Sequence, residues 1–88
     1  PNAQLTRQDA MVMIKNSLDA AGVSQPAPSA TVLSRFPDNG SISSYARSAV
    51  SVLVQMGAVN GDDKGMMNPR SYITRAEAAV ILHYVMTM

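Results

Sequence analysis

One short pattern occurs twice in this chain, and it constrains the architecture more than any other feature. Residues 5–10 read LTRQDA and residues 73–78 read ITRAEA. At an offset of 68 residues, Pro1, Leu5, Thr6, Arg7, Asp9, Ala10, Val12 and Ile14 fall on Pro69, Ile73, Thr74, Arg75, Glu77, Ala78, Val80 and Leu82. A repeat of this size whose first copy begins at its midpoint implies the back half of one unit followed by one complete unit. Each copy also reads as a helix start. Thr74 is an N-cap, and Glu77 three residues later completes the capping box, in which hydroxyl and carboxylate satisfy two free backbone N–H groups. Thr6 and Asp9 occupy the same positions in the first copy.

The arginines are the unusual part. Arg7 and Arg75 each place a cation in a first helical turn, where the helix macrodipole is already positive and a like charge costs about 0.3–1 kcal/mol. Two explanations fit the residues. Each arginine lies over apolar surface or pairs with a nearby acid such as Glu77 or Asp9. Alternatively, a guanidinium beside the exposed N–H groups of a helix start forms a compact anion site, with charge-assisted hydrogen bonds of roughly 1.5–3 kcal/mol each.

The remaining elements follow from periodicity and punctuation. A first helix runs from the Thr6 cap to about Ala21, with Ala10, Ile14, Leu18 and Ala21 on one stripe and Gly22 as the left-handed terminator. Residues 23–35, with Pro26 and Pro28 among small polar residues, read as a linker or extended loop. In FPDNG at 36–40, Phe36 is an apolar anchor and Asp38 is free to bond local backbone N–H groups. A second helix starts near Ser43 or Ser44 and ends at Met56, burying Ala46, Ala49, Val50 and Leu53, with Gly57 stopping it. NGDDKG at 60–65 is a turn with two glycines at positive φ, and the Asn68-Pro69 pair keeps the approach to the last helix, Arg75 to about Thr87, non-helical. Short extended pieces fit within residues 66–72. Tyr84 reads as core, whereas Tyr45 can face either way. Met66 and Met67 are the methionines expected to face a neighbouring subunit.

The charge balance argues against several functions. Seven basic and six acidic side chains give a net charge of +1 with no basic stripe, so nucleic acid is not an expected partner. The longest wholly apolar runs, Ala78 to Leu82 and the equally long Ala10 to Ile14, are far too short to span a bilayer, and with no charged leader pattern read at the start, any export signal is expected outside these residues. Absence of cysteine rules out disulfides and the common zinc sites. Asn60, Asp62 and Gly65 match three positions of a calcium loop, but Lys64 and Ser71 stand where oxygen ligands are needed. His83 has no second ligand one turn away and reads as a C-terminal dipole partner. No nucleophile motif accompanies it, and Asp62 and Asp63 sit in a solvated turn, so no enzyme, metal or cofactor is expected.

Three stretches, FPD at 36–38, YARSAVSVLVQMGAVNG at 45–61 and MNPRSYITRAEAAVIL at 67–82, resemble the S-layer homology modules that attach proteins to bacterial cell walls. LTRQDAMVMI resembles the second half of a preceding module. The resemblance implies an all-α fold of three main helices with long loops, forming part of a pseudo-threefold bundle. It divides the chain into a half-module at 1–22, a linker at 23–35 and a complete module at 36–88. It further implies a non-catalytic, extracellular anchor at the bacterial cell surface, binding an acidic secondary cell-wall polysaccharide, in the best-known cases a pyruvylated one, in grooves between units. Carried over by position, Arg75 and Arg7 are the carboxylate partners, Asp38 is the loop acid, and Tyr45 stands where the family usually has Trp. The alternative role is protein–protein assembly, with further modules of the same protein or a homo-oligomer as partner.

Overall fold

A computed structural model describes residues 4–87; the repeat position at Pro1 lies outside them. Among the described residues the elements run β1 (Leu5–Thr6), α1 (Arg7–Ala20), α2 (Arg47–Gln55), β2 (Tyr72–Ile73) and α3 (Arg75–Met86), with 3₁₀ helices at Ala30–Arg35, Asn39–Ser41 and Ser44–Ala46. The fold is therefore mostly helical with long connections. No helix among the described residues is long and apolar enough to cross a membrane.

The helix boundaries agree with the local signals. Thr6 caps α1 by accepting the Asp9 N–H at 3.3 Å, and Gly22 lies beyond its end at φ 71°. Thr74 caps α3 with both halves of the capping box formed. The second helix begins with a 3₁₀ turn at Ser44–Ala46 before α2 proper, and Gly57, at φ 81°, follows its end.

The core is built around α2, which packs on α1 at one side and on the 3₁₀ helix Ala30–Arg35 at the other. Ala49, Val50, Ser51, Val52, Leu53 and Val54 are all buried, so α2 is enclosed around most of its circumference, with Ser48 and Gln55 left exposed along one narrow strip. The proline-rich approach is irregular only as far as Ser29. Leu33 then enters the core and Ser29 N–H donates to the buried Ser51 hydroxyl, so this segment packs where the sequence suggested only a linker or loop. Phe36 is buried, as expected.

The two copies of the repeated motif meet in an antiparallel two-residue ladder with Leu5 opposite Ile73 and Thr6 opposite Tyr72. Leu5 and Ile73 are themselves repeat equivalents, so the copies are joined about a local pseudo-twofold axis. That pairing was not legible in either segment alone.

Some side chains depart from expectation. Met67 is buried and Met66 half-buried, and among the described residues the exposed methionines are Met13 and Met86. Tyr84 is 46% exposed rather than core, because α3 buries only Ile81 and Val85. Ala21 is exposed, and Met11 takes its place in the α1 stripe.

Candidate functional site

At the start of α1, Arg7 N–H donates to Ser71 O at 2.8 Å and Gln8 N–H to Pro69 O at 2.9 Å. With the Asp9 N–H on the Thr6 hydroxyl, the first-turn amides of α1 are satisfied from within the protein. The bare helix entrance that the sequence suggests beside Arg7 is therefore closed by the 69–71 loop. What remains accessible there is the guanidinium.

That guanidinium is fixed from two sides. Arg7 Nε donates to Met67 O at 3.2 Å, and Arg7 Nη1 lies 3.6 Å from Glu77 Oε2. The acid belongs to the other copy of the motif. Glu77 is held in turn by the capping box, its Oε1 accepting Thr74 N–H at 3.1 Å. The hydrogen bonds from Thr74, and then the neighbouring Arg7, keep the Glu77 carboxyl below its ordinary pKa.

Asp38 stands behind this arrangement. Its two carboxylate oxygens accept Met67 N–H at 2.9 Å and Asn68 N–H at 2.7 Å. The partners are distant in sequence, not the local turn amides expected for an acid in FPDNG. Asn68 is the one described non-glycine residue at positive φ, 53°, and Asp38 secures it in that conformation. The same contact places the Met67 carbonyl against Arg7, so Asp38 acts on the site through the loop.

In front of Arg7 opens a cleft of about 340 Å³, lined by Arg7, Asn60, Gly61, Glu77, Val80 and Ile81 together with Ala58 and Val59. Its charged groups are Arg7 and Glu77, which balance each other. A second cleft of about 250 Å³, lined by Leu5, Ile73, Thr74, Arg75 and Ala78, contains Arg75 alone as its charged group. Arg75 is exposed, and its guanidinium has no ion pair among the described residues. Leu5 and Ile73, the ladder pair, separate the two arginines.

Tyr45 is 62% exposed and its hydroxyl donates to Asp9 Oδ1. Ionising it would set two anions together, so the hydrogen bond to Asp9 raises the phenol pKa above its usual value. Arg7 meets Glu77, whereas the repeat-equivalent pair of Arg75 with Asp9 is not formed, Asp9 being bonded to Tyr45 instead. Arg7 and Glu77 thus line one cleft with Asp38 behind it, Arg75 lines the other, and Tyr45 stands apart on the Asp9 side of α1.

Sequence reasoning missed Gln8 and the Asn60–Gly61 edge. Gln8 is buried, and it clasps Ser43 by donating Nε2–H to the hydroxyl at 3.1 Å and accepting Ser43 N–H at 2.8 Å. The available signal was a polar residue where the second copy has Ala76. Asn60 and Gly61 belong to the NGDDKG turn, whose Asp62 accepts from Lys64 N–H, Met66 N–H and Asn68 Nδ2–H, each at 2.9 Å. That set makes Asp62 a loop organiser. No group of three or more His, Asp or Glu side chains converges as a metal site among the described residues.

Residues 35–79 match the model of the S-layer homology domain. The chain is 30% identical over 83 residues, 94% of its length, to an amylopullulanase of Thermoanaerobacterium thermosulfurigenes. It is 46% identical over 56 residues, 64% of its length, to the surface-layer 125 kDa protein of Lysinibacillus sphaericus. To the S-layer protein sap of Bacillus anthracis it is 37% identical over 68 residues, 77% of its length. It spans only 4%, 4% and 8% of those three relatives. No solved structure matches at the level of these relatives. With half of its residues matched by the family model and the duplicated TR motif at the junction of its two copies, the chain belongs to the S-layer homology domain family.

Proposed function

We propose that this chain is a non-catalytic anchoring module of the bacterial cell surface, which binds an acidic secondary cell-wall polysaccharide. One observation carries the reading: two arginines, each at the head of a repeated helix, open onto adjacent clefts between the two copies of the motif. Arg75, unbalanced by an acid among the described residues, takes the sugar carboxylate, a pyruvate ketal being the group expected from the family resemblance. Arg7 supplies the second cationic contact. Asp38 orients Arg7 through the 67–68 loop, and Tyr45, outside the lining of both clefts, offers an exposed ring on the Asp9 side of α1. The division into a half-module, a connecting segment and a complete module belongs to the same proposal. Relatives named as surface-layer proteins and as polysaccharide-degrading enzymes both carry a matching stretch over a few per cent of their length, which favours an extracellular anchor separable from any catalysis. The test is co-sedimentation with purified wall polysaccharide. Binding is expected for the intact chain, lost on Arg75→Ala, and absent for polysaccharide stripped of its acidic groups; equal binding of the stripped polymer overturns the assignment.

An assembly role has one specific observation in its favour. Ala10, Met11, Ile14 and Leu18 on α1 are buried, whereas their repeat equivalents Ala78, Ala79, Leu82 and Met86 on α3 are partly or largely exposed. The α3 face thus resembles a surface that takes a further unit of the same kind, from the same protein or from a second copy. Sedimentation equilibrium at increasing concentration tests the second-copy case.

A further inference from the structure

We propose that Glu77 is a specificity-determining residue of the Arg7 cleft, a built-in competitor that holds the guanidinium against free small carboxylates and yields it only to a carboxylate carried on a larger ligand. The inference deepens the reading of Arg7 as a carboxylate partner and rests on it. Three features support it. The pair is formed across the two copies, with Arg7 22% and Glu77 52% exposed, so the contact lies in the mouth of the cleft and not in the core. Both partners are independently fixed, Arg7 by the Met67 carbonyl that Asp38 positions and Glu77 by Thr74, so neither must be reorganised for the pair to stand. The charges lining this cleft cancel, whereas the neighbouring cleft presents Arg75 without an acid.

A half-exposed pair of this kind is weak, on the order of 0.2–1 kcal/mol. That magnitude suits a filter. A lone carboxylate gains little more from Arg7 than Glu77 already supplies, and it also meets repulsion from the Glu77 oxygen. A carboxylate attached to a saccharide adds contacts with Asn60, Gly61 and the apolar wall of Val80 and Ile81, which offset the displaced pair. The clefts are asymmetric in their acids: Asp9, the repeat equivalent of Glu77 and one methylene shorter, is bonded by the Tyr45 hydroxyl and makes no ion pair with Arg75 among the described residues.

The experiment is a titration of the whole chain with sodium acetate at constant ionic strength, following the Arg7 Nε–H resonance by NMR in the wild type, Glu77→Gln and Glu77→Ala. Glutamine retains the capping-box geometry, so the first variant removes the charge while keeping the helix start. Acetate is expected to reach half-saturation at Arg7 at roughly 1.4- to fivefold lower concentration in both variants than in the wild type, the range corresponding to such a pair. Equal or weaker acetate binding in the variants overturns the competitor role. A chain that shows the acetate difference yet ignores wall polysaccharide would remove the glycan reading instead, so the two failures are distinguishable.

Discussion

The carboxylate of Asp38 accepts the N–H of Asn68 at 2.7 Å and, with its other oxygen, the N–H of Met67, tying the FPD turn to the segment that leads into α3. Met67 is completely buried and its carbonyl receives Arg7 Nε, so one acid secures the left-handed backbone at Asn68 and orients the Arg7 guanidinium together. Hydrogen bonds to a charged group contribute about 1.5–3 kcal/mol each after exchange with water is counted. Asp38→Ala is expected to lower stability by about 2–4 kcal/mol. Chemical denaturation checks this; a loss below 1 kcal/mol would mean that the 67–68 loop holds its conformation without Asp38. Asp38→Asn keeps one acceptor oxygen and should fall between.

The capping box makes a pH prediction with a definite sign. The folded-state pKa of Glu77 is lowered, chiefly by its hydrogen bonds with Thr74, and that of Asp62 is lowered chiefly by the Met66 amide and the Asn68 side chain. A carboxyl with a depressed folded pKa contributes stability that is complete above the unfolded value, about 4, and is lost as pH falls through the folded value. Thermal midpoints should therefore hold above about pH 5 and decline below about pH 4. Thr74→Ala should lower stability by about 1 kcal/mol at neutral pH by removing the hydroxyl that accepts the Glu77 N–H, while keeping the Thr74 N–H that chiefly depresses Glu77 and hence most of the acid-induced decline. Glu77→Gln removes the titrating group itself, and an unchanged acid slope in that variant would show that Glu77 is not among the groups responsible.

Gly61 is expected to be the least replaceable glycine of the polar turn. It has φ 85°, and a Cβ placed there would lie 3.1 Å from the Phe36 ring and 3.2 Å from the backbone of Gly65. Gly65 has φ 75° but open space around it, and Gly40 has open space without a positive φ. Alanine in left-handed backbone costs about 1–2 kcal/mol. The expected order of destabilisation is Gly61→Ala above Gly65→Ala, with Gly40→Ala near zero. Equal losses at 61 and 65 would show that the Phe36 ring adjusts without cost.

What could be read from the sequence was what neighbouring residues decide. Both threonine caps, the glycine terminators of α1 and α2 and the burial of Phe36 follow from chemistry within one turn of the chain. The Leu5–Ile73 pairing does not, because a two-residue ladder has no periodicity of its own and forms only after α1 and α3 have converged. Asp38 shows the same limit, since a turn acid has local amides within reach and only the tertiary fold presents Met67 and Asn68. At the site, the arginines were recognisable by their unfavourable position at helix starts. Their different surroundings were not, because Asp9 and Glu77 hold equivalent places in the motif and differ in the structure through a third residue, Tyr45.

The exposed face of α3 supplies the remaining contrast. Leu18 on α1 is fully buried, and replacing a buried leucine by alanine costs about 2–5 kcal/mol. Its repeat equivalent Met86 is 47% exposed, so Met86→Ala should change the stability of this chain by less than about 0.5 kcal/mol. The pair Ile14→Ala and Leu82→Ala should behave likewise, with a large loss for buried Ile14 and a small one for Leu82, 38% exposed. Denaturation midpoints of the four variants, measured at several protein concentrations, separate two causes of any departure. A large loss for Met86 or Leu82 that grows with concentration would place another molecule on α3. A concentration-independent loss would show that α3 packs more closely on its own chain than its exposure implies. Small losses at both positions would establish that the motif, used twice, buries its apolar stripe only where α2 is present to receive it.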